Sequence, residues 1–306
     1  MKRSPAAPPW TADVAIDDAI ASACIAEQFP QLAGRPVRPL GQGWDNAAFE
    51  AGEYVFRFPR RAVAVALIET ELRILPSIAA HLPLPISAPC FSGKPAAQFP
   101  WPFAGYRRLP GEPLAQIESA VDGERAIAAQ LGAFLRALHA LDAGPALDAG
   151  LAGDTIGRLD PVTTMERAAA RFAELEALGL LDDADRQVAE LRALAPALPG
   201  EARCIVHGDL YAAHVLVERG ACSGIIDWGD LHFGDPAIDL AVAFEVLPPT
   251  ARDQFFGSYG QIGEAAERRA RYRALYHAAL VAQYGAAIGD RFLRDAGLRG
   301  IAYAAR

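Results

Sequence analysis

The stretch Val206-His207-Gly208-Asp209-Leu210-Tyr211-Ala212-Ala213-His214-Val215-Leu216-Val217 is followed, after a short turn, by Gly224-Ile225-Ile226-Asp227-Trp228-Gly229-Asp230. His214 comes 5 residues after Asp209, and Asp227 13 residues after His214. Short β-like runs at residues 203–206, 215–217 and 223–226 flank them, so one hairpin would bring all three to a common edge. His207, Asp230 and the pair Asp235 and Asp239 in Gly234-Asp235-Pro236-Ala237-Ile238-Asp239 join them. Charged groups at the ends of apolar strands acquire perturbed pKa values and defined geometry. One carboxylate that accepts a hydroxyl proton and another that holds a divalent cation are what phosphoryl transfer needs. Taken singly, Asp209 and Asp227 read more readily as turn residues that satisfy loop amides; together with the residues upstream the balance reverses.

Outward from this stretch, the N-terminal part is strand-containing. The turn-rich hexapeptide Gly41-Gln42-Gly43-Trp44-Asp45-Asn46 precedes two strand-like runs, residues 48–50 and 54–58, around Gly52, which predicts a hairpin. Helical spacing predicts an opening helix over residues 12–28, ended by Pro30, and another over 62–80, interrupted near Pro76. Residues 82–113 hold eight prolines. Within them Phe103-Ala104-Gly105-Tyr106-Arg107-Arg108-Leu109 reads as a strand running out into a linker. That proline density, with Gly111, marks a boundary. Beyond it residues 122–141, 165–194 (broken near Gly179) and 264–285 have helical spacing. The class is therefore α+β.

Composition narrows the function. With 306 residues, 52% of them hydrophobic, the chain can build a full core, which excludes a disordered protein. A net charge of −8 disfavours nucleic acid as a partner and suits a cationic one. No apolar run approaches the roughly 18–20 residues of a membrane span. The start, MKRSPAAPPW, lacks the hydrophobic stretch of a secretory signal. Cys24, Cys90, Cys204 and Cys222 are scattered with no paired spacing, so neither a zinc site nor a disulfide framework is expected, and a cytoplasmic location is. Lys2 and Lys94 are the only lysines. Ser92-Gly93-Lys94-Pro95 is no nucleotide P-loop, because Ala88 replaces its first glycine and Pro95 its Ser/Thr.

His207-Gly208-Asp209 with His214, and Ile226-Asp227-Trp228-Gly229, resemble the catalytic and metal loops of the aminoglycoside and macrolide phosphotransferases over about residues 35–285. The pattern is nearest the macrolide 2'- and aminoglycoside 2''-enzymes. The resemblance implies a bilobal protein-kinase-like fold, with a small antiparallel-sheet N-lobe (1–105, including the opening helix), a hinge (106–111) and a larger, mostly helical C-lobe (112–306). It implies that Asp209 accepts the hydroxyl proton and that Asp227 binds the Mg²⁺ bridging the nucleotide phosphates. His207 would brace the loop, and Asp235 and Asp239 would hold the loop and the next helix. His214 stands where the commoner pattern has an Asn metal ligand; histidine there points to the macrolide branch. Mg²⁺ prefers oxygen and an imidazole suits softer ions, so three readings of His214 stand open: weak metal binding, a hydrogen bond to a phosphate, or tolerance of Mn²⁺.

The same resemblance assigns the nucleotide contacts. Gly41, Gly43 and Asn46 correspond to the loop over the phosphates. Arg57 stands where kinases carry lysine, and alternates with Phe56 and Phe58, so it faces away from them. Glu71 corresponds to its helix partner, with Glu69 as the fallback. Arg107 and Leu109 would offer backbone groups to the purine, with Tyr106 at the gate of its pocket. A tyrosine there goes with guanine in the 2''-enzymes, so GTP is favoured over ATP as donor. Asp230, His232, Tyr259, Tyr272, Tyr276 and His277 are candidates for the acceptor side, against a packing role, and His139 is read as structural.

The leading expectation is a small-molecule O-phosphotransferase acting on a hydroxyl of a macrolide- or aminoglycoside-type antibiotic, working as a monomer or homodimer. A metabolite kinase of the same fold, for a choline-, homoserine- or sugar-type acceptor, is one alternative. A non-catalytic nucleotide-binding protein, suggested by Arg57 and His214, is the other.

Overall fold

The computed structural model describes residues 11–43, 45–117, 121–196, 200 and 202–306. Trp44 of the glycine-containing loop and the opening ten residues, read above for a signal, lie outside them. The chain divides into two compact units. One runs to Ala80 and takes in Ser87–Arg108; the other holds His81–Ile86 and Leu109–Arg306. The proline-rich stretch thus contributes to both.

In the first unit, β1 (Val37–Gln42), β2 (Asn46–Ala51), β3 (Tyr54–Pro59), β4 (Pro89–Gly93) and β5 (Phe103–Arg107) form an antiparallel sheet ordered β1-β2-β3-β5-β4. The predicted hairpin is β2–β3, turning at Gly52 with φ +66°. Alternation sends Phe56 and Phe58 to one face, where Phe58 stacks on Phe103 at 4.3 Å between ring centroids. Gly41 and Gln42 belong to strand β1, not to the turn the sequence suggested, because both find ladder partners, Ala48 and Ala47. β1 and β4 carry prolines and alternate poorly in polarity, which is why neither is visible as a strand in the sequence.

Helix α1 (Asp18–Gln28) starts six residues later than its spacing predicts. Asp17 caps it, its Oδ1 accepting from Ile20 N at 2.8 Å. Upstream, Asp13 is engaged elsewhere: its N–H donates to Arg60 O, and its Oδ2 accepts from Ala62 N at the start of α2. α2 (Ala62–Ile78) runs through Pro76 without the predicted interruption, since a proline two residues from the end forfeits a single ladder bond. Its buried stripe is Ala64, Ile68, Glu71, Ile74, Leu75 and Ile78, so the helix carries one carboxylate on its apolar face.

The second unit is mostly helical: α3 (Val121–His139), α4 (Gly144–Asp148), α5 (Pro161–Ala177), α6 (Ala184–Leu194), α7 (Ala237–Leu240), α8 (Val242–Glu245), α9 (Arg252–Tyr259), α10 (Glu264–Ile288) and α11 (Arg291–Ala304). The break between α5 and α6 includes Gly179, at φ +69°. Two small antiparallel sheets carry the conspicuous loops. β6 (Glu112–Pro113), β8 (Val215–Glu218) and β9 (Ala221–Ile225) form one; β7 (Cys204–Val206) and β10 (His232–Gly234) form the other. α10 packs against α5, α7, α8 and α11, and much of its length is buried. Among the described residues no helix is long and apolar enough to cross a membrane.

Candidate active site

The loop after β7 is held from beneath. Asp239, fully buried on α7, accepts from the N–H of His207 at 2.7 Å and of Gly208 at 2.9 Å. Burial opposes its charge, but the His139 ring at 3.2 Å and these amides hold its pKa below the usual value. His139 in turn meets the Tyr259 hydroxyl at 2.9 Å. His207 Nε2–H donates to Ile226 O at 3.0 Å, while its Nδ1 accepts from Asp209 N at 3.3 Å. Burial keeps that ring neutral, packed on Trp228 at 4.6 Å between centroids. Asp235 accepts from Ala237 N and from Arg269 Nε. Gly208 has φ +87°, and a Cβ there would lie 2.1 Å from Asp230 O, so the loop demands glycine.

This scaffold presents Asp209, whose side chain is 27% exposed. Its Oδ1 accepts from His277 Nε2 at 3.0 Å and from Arg273 at 3.4 Å, both on α10. Among the described residues Oδ2 accepts no hydrogen bond; His214 Nδ1 lies 3.9 Å from it. Desolvation works against the ionised form, yet His277, His214 and Arg273 hold Asp209 well below the ordinary carboxylate range. The carboxylate is therefore charged wherever the protein is folded near neutrality.

His214 follows a turn in which its N–H donates to Tyr211 O. Its Nδ1 donates to the Asp209 carbonyl at 2.7 Å, since a carbonyl only accepts. The other nitrogen, Nε2, stands 3.6 Å from Asp227 Oδ2. Asp227 has φ +62°, the left-handed region that non-glycine residues seldom occupy. With its proton released, the His214 nitrogen and the carboxylate oxygen facing it could hold a shared cation. Among the described residues no group of three or more His, Cys, Asp or Glu side chains could hold a metal. The pair could hold an ion such as Mg²⁺, which takes one or two protein ligands and completes its shell with phosphate and water. The imidazole admits Mn²⁺ equally.

The first unit builds a second constellation. Arg57 donates through NH1 to both oxygens of Glu71, at 3.1 and 3.2 Å. Glu71 is fully buried and also accepts from the Tyr106 hydroxyl at 2.8 Å. Arg57 lies over the Tyr106 ring, 5.9 Å from its centroid. The ring itself packs with Ile68 and Ala104. Tyr106 thus ties β5 to α2, a role its sequence context did not reveal. Glu69 is not needed as the partner.

In the loop between β1 and β2, Arg60 donates to Gly43 O at 3.0 Å and Arg61 pairs with Asp45 at 2.7 Å. A Cβ on Gly41 would meet nothing within 4 Å, and one on Gly43 only Asn46 O at 3.9 Å, so the fold itself does not require these glycines. Asn46 Oδ1 is buried without a hydrogen-bond partner among the described residues. Arg107 is exposed and pairs with Glu53 at 3.2 Å. Leu109 lies over Gly224, in the second unit.

Of the acceptor-side candidates, several are engaged internally. Asp230 pairs with Arg158, Tyr272 with Thr164, Tyr259 with His139, and Tyr276 carries Arg171 over its ring. His232 Nδ1 donates to Asp230 O at 2.7 Å. His277 lies on Asp209 itself. Its companions Arg273 and Glu245 were not singled out in the sequence. The available signal was the pair Arg273 and His277, four apart on a helix face that is otherwise largely apolar.

The first unit's five-stranded sheet and the largely helical second unit with its two small sheets have counterparts in solved enzymes. The GDP and kanamycin complex of APH(2")-IIia superposes with a TM-score of 0.68 at 23% identity, covering 93% of this chain and 97% of that one. Macrolide 2'-phosphotransferase MphH from Brachybacterium faecium gives 0.60 at 21% identity, over 93% and 97%. The fold is thus the kinase-like fold of the antibiotic phosphotransferases. The pattern of the phosphotransferase enzyme family, APH, matches residues 36–275, and the chain belongs to that family. Viomycin phosphotransferase of Streptomyces vinaceus is 31% identical over 146 residues, which are 46% of this chain and 48% of that protein. The match spans about half the length of that relative.

Proposed function

We propose that this protein transfers the γ-phosphate of GTP or ATP to a hydroxyl group of an antibiotic of the aminoglycoside, macrolide or viomycin kind. The observation that carries the reading is the Asp209 carboxylate, ionised, tethered through Oδ1 and open at Oδ2, within 4 Å of His214, which also faces Asp227. Oδ2 accepts the proton of the acceptor hydroxyl as its oxygen attacks the γ-phosphorus. The bond from that phosphorus to the β-bridging oxygen breaks, and the nucleoside diphosphate leaves. Asp227 and His214 would hold the Mg²⁺ or Mn²⁺, which when bound neutralises charge developing on the phosphates. Arg57, fixed by Glu71 and Tyr106, would supply a cation for the phosphates, and the family resemblance assigns the loop of Gly41, Gly43 and Asn46 to cover them. The backbone groups of Arg107 and Leu109 take the purine, and Tyr106 favours guanine. The net charge of −8 suits a cationic acceptor.

The intact Arg57–Glu71 pair and both aspartates speak for catalysis over a purely binding protein. The test is product formation from GTP or ATP with viomycin, kanamycin and a macrolide, in wild type and Asp209→Asn. Transfer is expected in wild type and a loss of at least about a thousandfold in the variant, with nucleotide-induced thermal stabilisation retained. Undiminished turnover in Asp209→Asn overturns the mechanism. Turnover confined to small metabolites, with no antibiotic tolerance on expression, overturns the acceptor class.

A further inference from the structure

We propose that His277 is the positioning residue for Asp209: clamped by Glu245 through one ring nitrogen, it holds Oδ1 of Asp209 with the other and leaves Oδ2 to meet the acceptor. The assignment rests on Asp209 being the base.

The geometry is a chain of three side chains from three places in the sequence. Nδ1 of His277 lies 2.9 Å from both oxygens of Glu245, the last residue of α8. Nε2 lies 3.0 Å from Asp209 Oδ1. Each nitrogen faces a carboxylate, which only accepts, so a neutral ring with one N–H satisfies one side alone; the imidazolium satisfies both. Arg273, one turn earlier on α10, and the Tyr211 ring, 5.1 Å away between centroids, also stand beside it. The His277 and Glu245 side chains are only 5% and 4% exposed, so water competes little for either bond. Burial alone would discharge the ring, but Glu245 and Asp209 outweigh it, against the opposing charge of Arg273, and raise its pKa to about 9.

Charge balance alone does not call for this arrangement. Arg273 already supplies a cation at Asp209, but at 3.4 Å and shared with the Gly208 carbonyl at 3.5 Å. It therefore sets no sharp orientation. His277 makes the short contact, and Glu245 fixes the ring that makes it. A base whose unbound oxygen is fixed meets the hydroxyl in one geometry, which is where positioning contributes to rate.

Two readouts test this in the full-length protein. Nitrogen-15 NMR of ring-labelled histidines reads the protonation of His277, identified by the signal lost in His277→Gln. Wild type is expected to keep both ring N–H groups at pH 7.5, and Glu245→Gln to lose one. Kinetics with GTP, Mg²⁺ and viomycin or kanamycin read the positioning. His277→Leu should lower kcat by about tenfold or more while the KM for GTP stays within about twofold, and His277→Gln, which keeps an N–H donor, should recover part of the loss. Should His277→Leu not fold, His277→Gln and Glu245→Gln carry the decision by each lowering kcat at unchanged KM. A neutral wild-type ring at pH 7.5, or folded variants with wild-type kcat, overturns the role of His277 alone. A wild type without Asp209-dependent turnover on either acceptor overturns the proposed function, and this role with it.

Discussion

His214 turns the Nε2 of its ring toward Asp227 Oδ2 at 3.6 Å, because its Nδ1–H is taken by the Asp209 carbonyl at 2.7 Å. The backbone of the proposed catalytic loop thereby decides which ring nitrogen faces the proposed metal site. The expected consequence is a divalent-ion requirement with a taste for nitrogen-tolerant ions. Nucleotide-induced thermal stabilisation should be larger with Mn²⁺ than with Mg²⁺ in wild type. His214→Asn, which supplies an oxygen, should reverse that order, and Asp227→Ala should remove the metal-dependent part altogether. Identical shifts with and without metal in wild type would count against the assignment.

Glu71 accepts from Arg57 and Tyr106 in a fully buried position. Glu71→Ala takes the carboxylate away from a buried ion pair and hydrogen bond and should cost about 3–5 kcal/mol in urea unfolding. Tyr106→Phe removes one bond to a charged group and should cost about 1.5–3 kcal/mol. If Tyr106→Phe leaves the ratio of GTP to ATP turnover unchanged, the proposed guanine selection would rest on the ring and its backbone rather than the hydroxyl.

His277 gives stability a defined pH dependence. Its pKa rises from 6.5 to about 9 on folding, so the folded state binds the extra proton. The contribution is complete below about pH 6.5 and disappears as pH climbs through 9, amounting to at most about 3 kcal/mol. Urea unfolding between pH 6.5 and 9 should show wild type losing stability more steeply than His277→Gln. Parallel slopes would place the proton elsewhere.

Gly208→Ala sets a Cβ 2.1 Å from Asp230 O at φ +87°. Both the strain and the collision fall on backbone, so the variant should lose about 3 kcal/mol or more and displace Asp209. Thermal unfolding and turnover should fall together. A variant of wild-type stability would show that the loop has another low-energy path.

Local chemistry made part of this protein legible in one dimension. The glycine and aspartates of residues 206–239, the hairpin at Gly52, and the alternation that sets Arg57 opposite Phe56 and Phe58 depend on neighbours in sequence. Turn stereochemistry and side-chain periodicity therefore expose them. The Arg57–Glu71 pair, expected from the family resemblance, spans 14 residues and two elements. Strands β1 and β4 stayed hidden, because edge strands with proline are defined by their partners rather than by their own pattern. The early helix start was misjudged for a similar reason: Asp13 is bound by Arg60 and Ala62, far along the chain.

The active-site electrostatics belonged wholly to the tertiary structure. In sequence, Glu245 and His277 stand 32 residues apart, and Asp209 a further 36 before Glu245, with nothing to relate them. Packing of α8 and the loop after β7 against α10 makes them one hydrogen-bonded chain. Likewise Tyr106 became a partner of Glu71 only once β5 lay beside β3 and α2. The sequence by itself determined which chemical groups the protein owns and the loops that present them. Which oxygen of Asp209 is tethered, and which ring nitrogen of His214 faces Asp227, only the folded contacts decided, because hydrogen bonds are chosen by distance in space rather than along the chain.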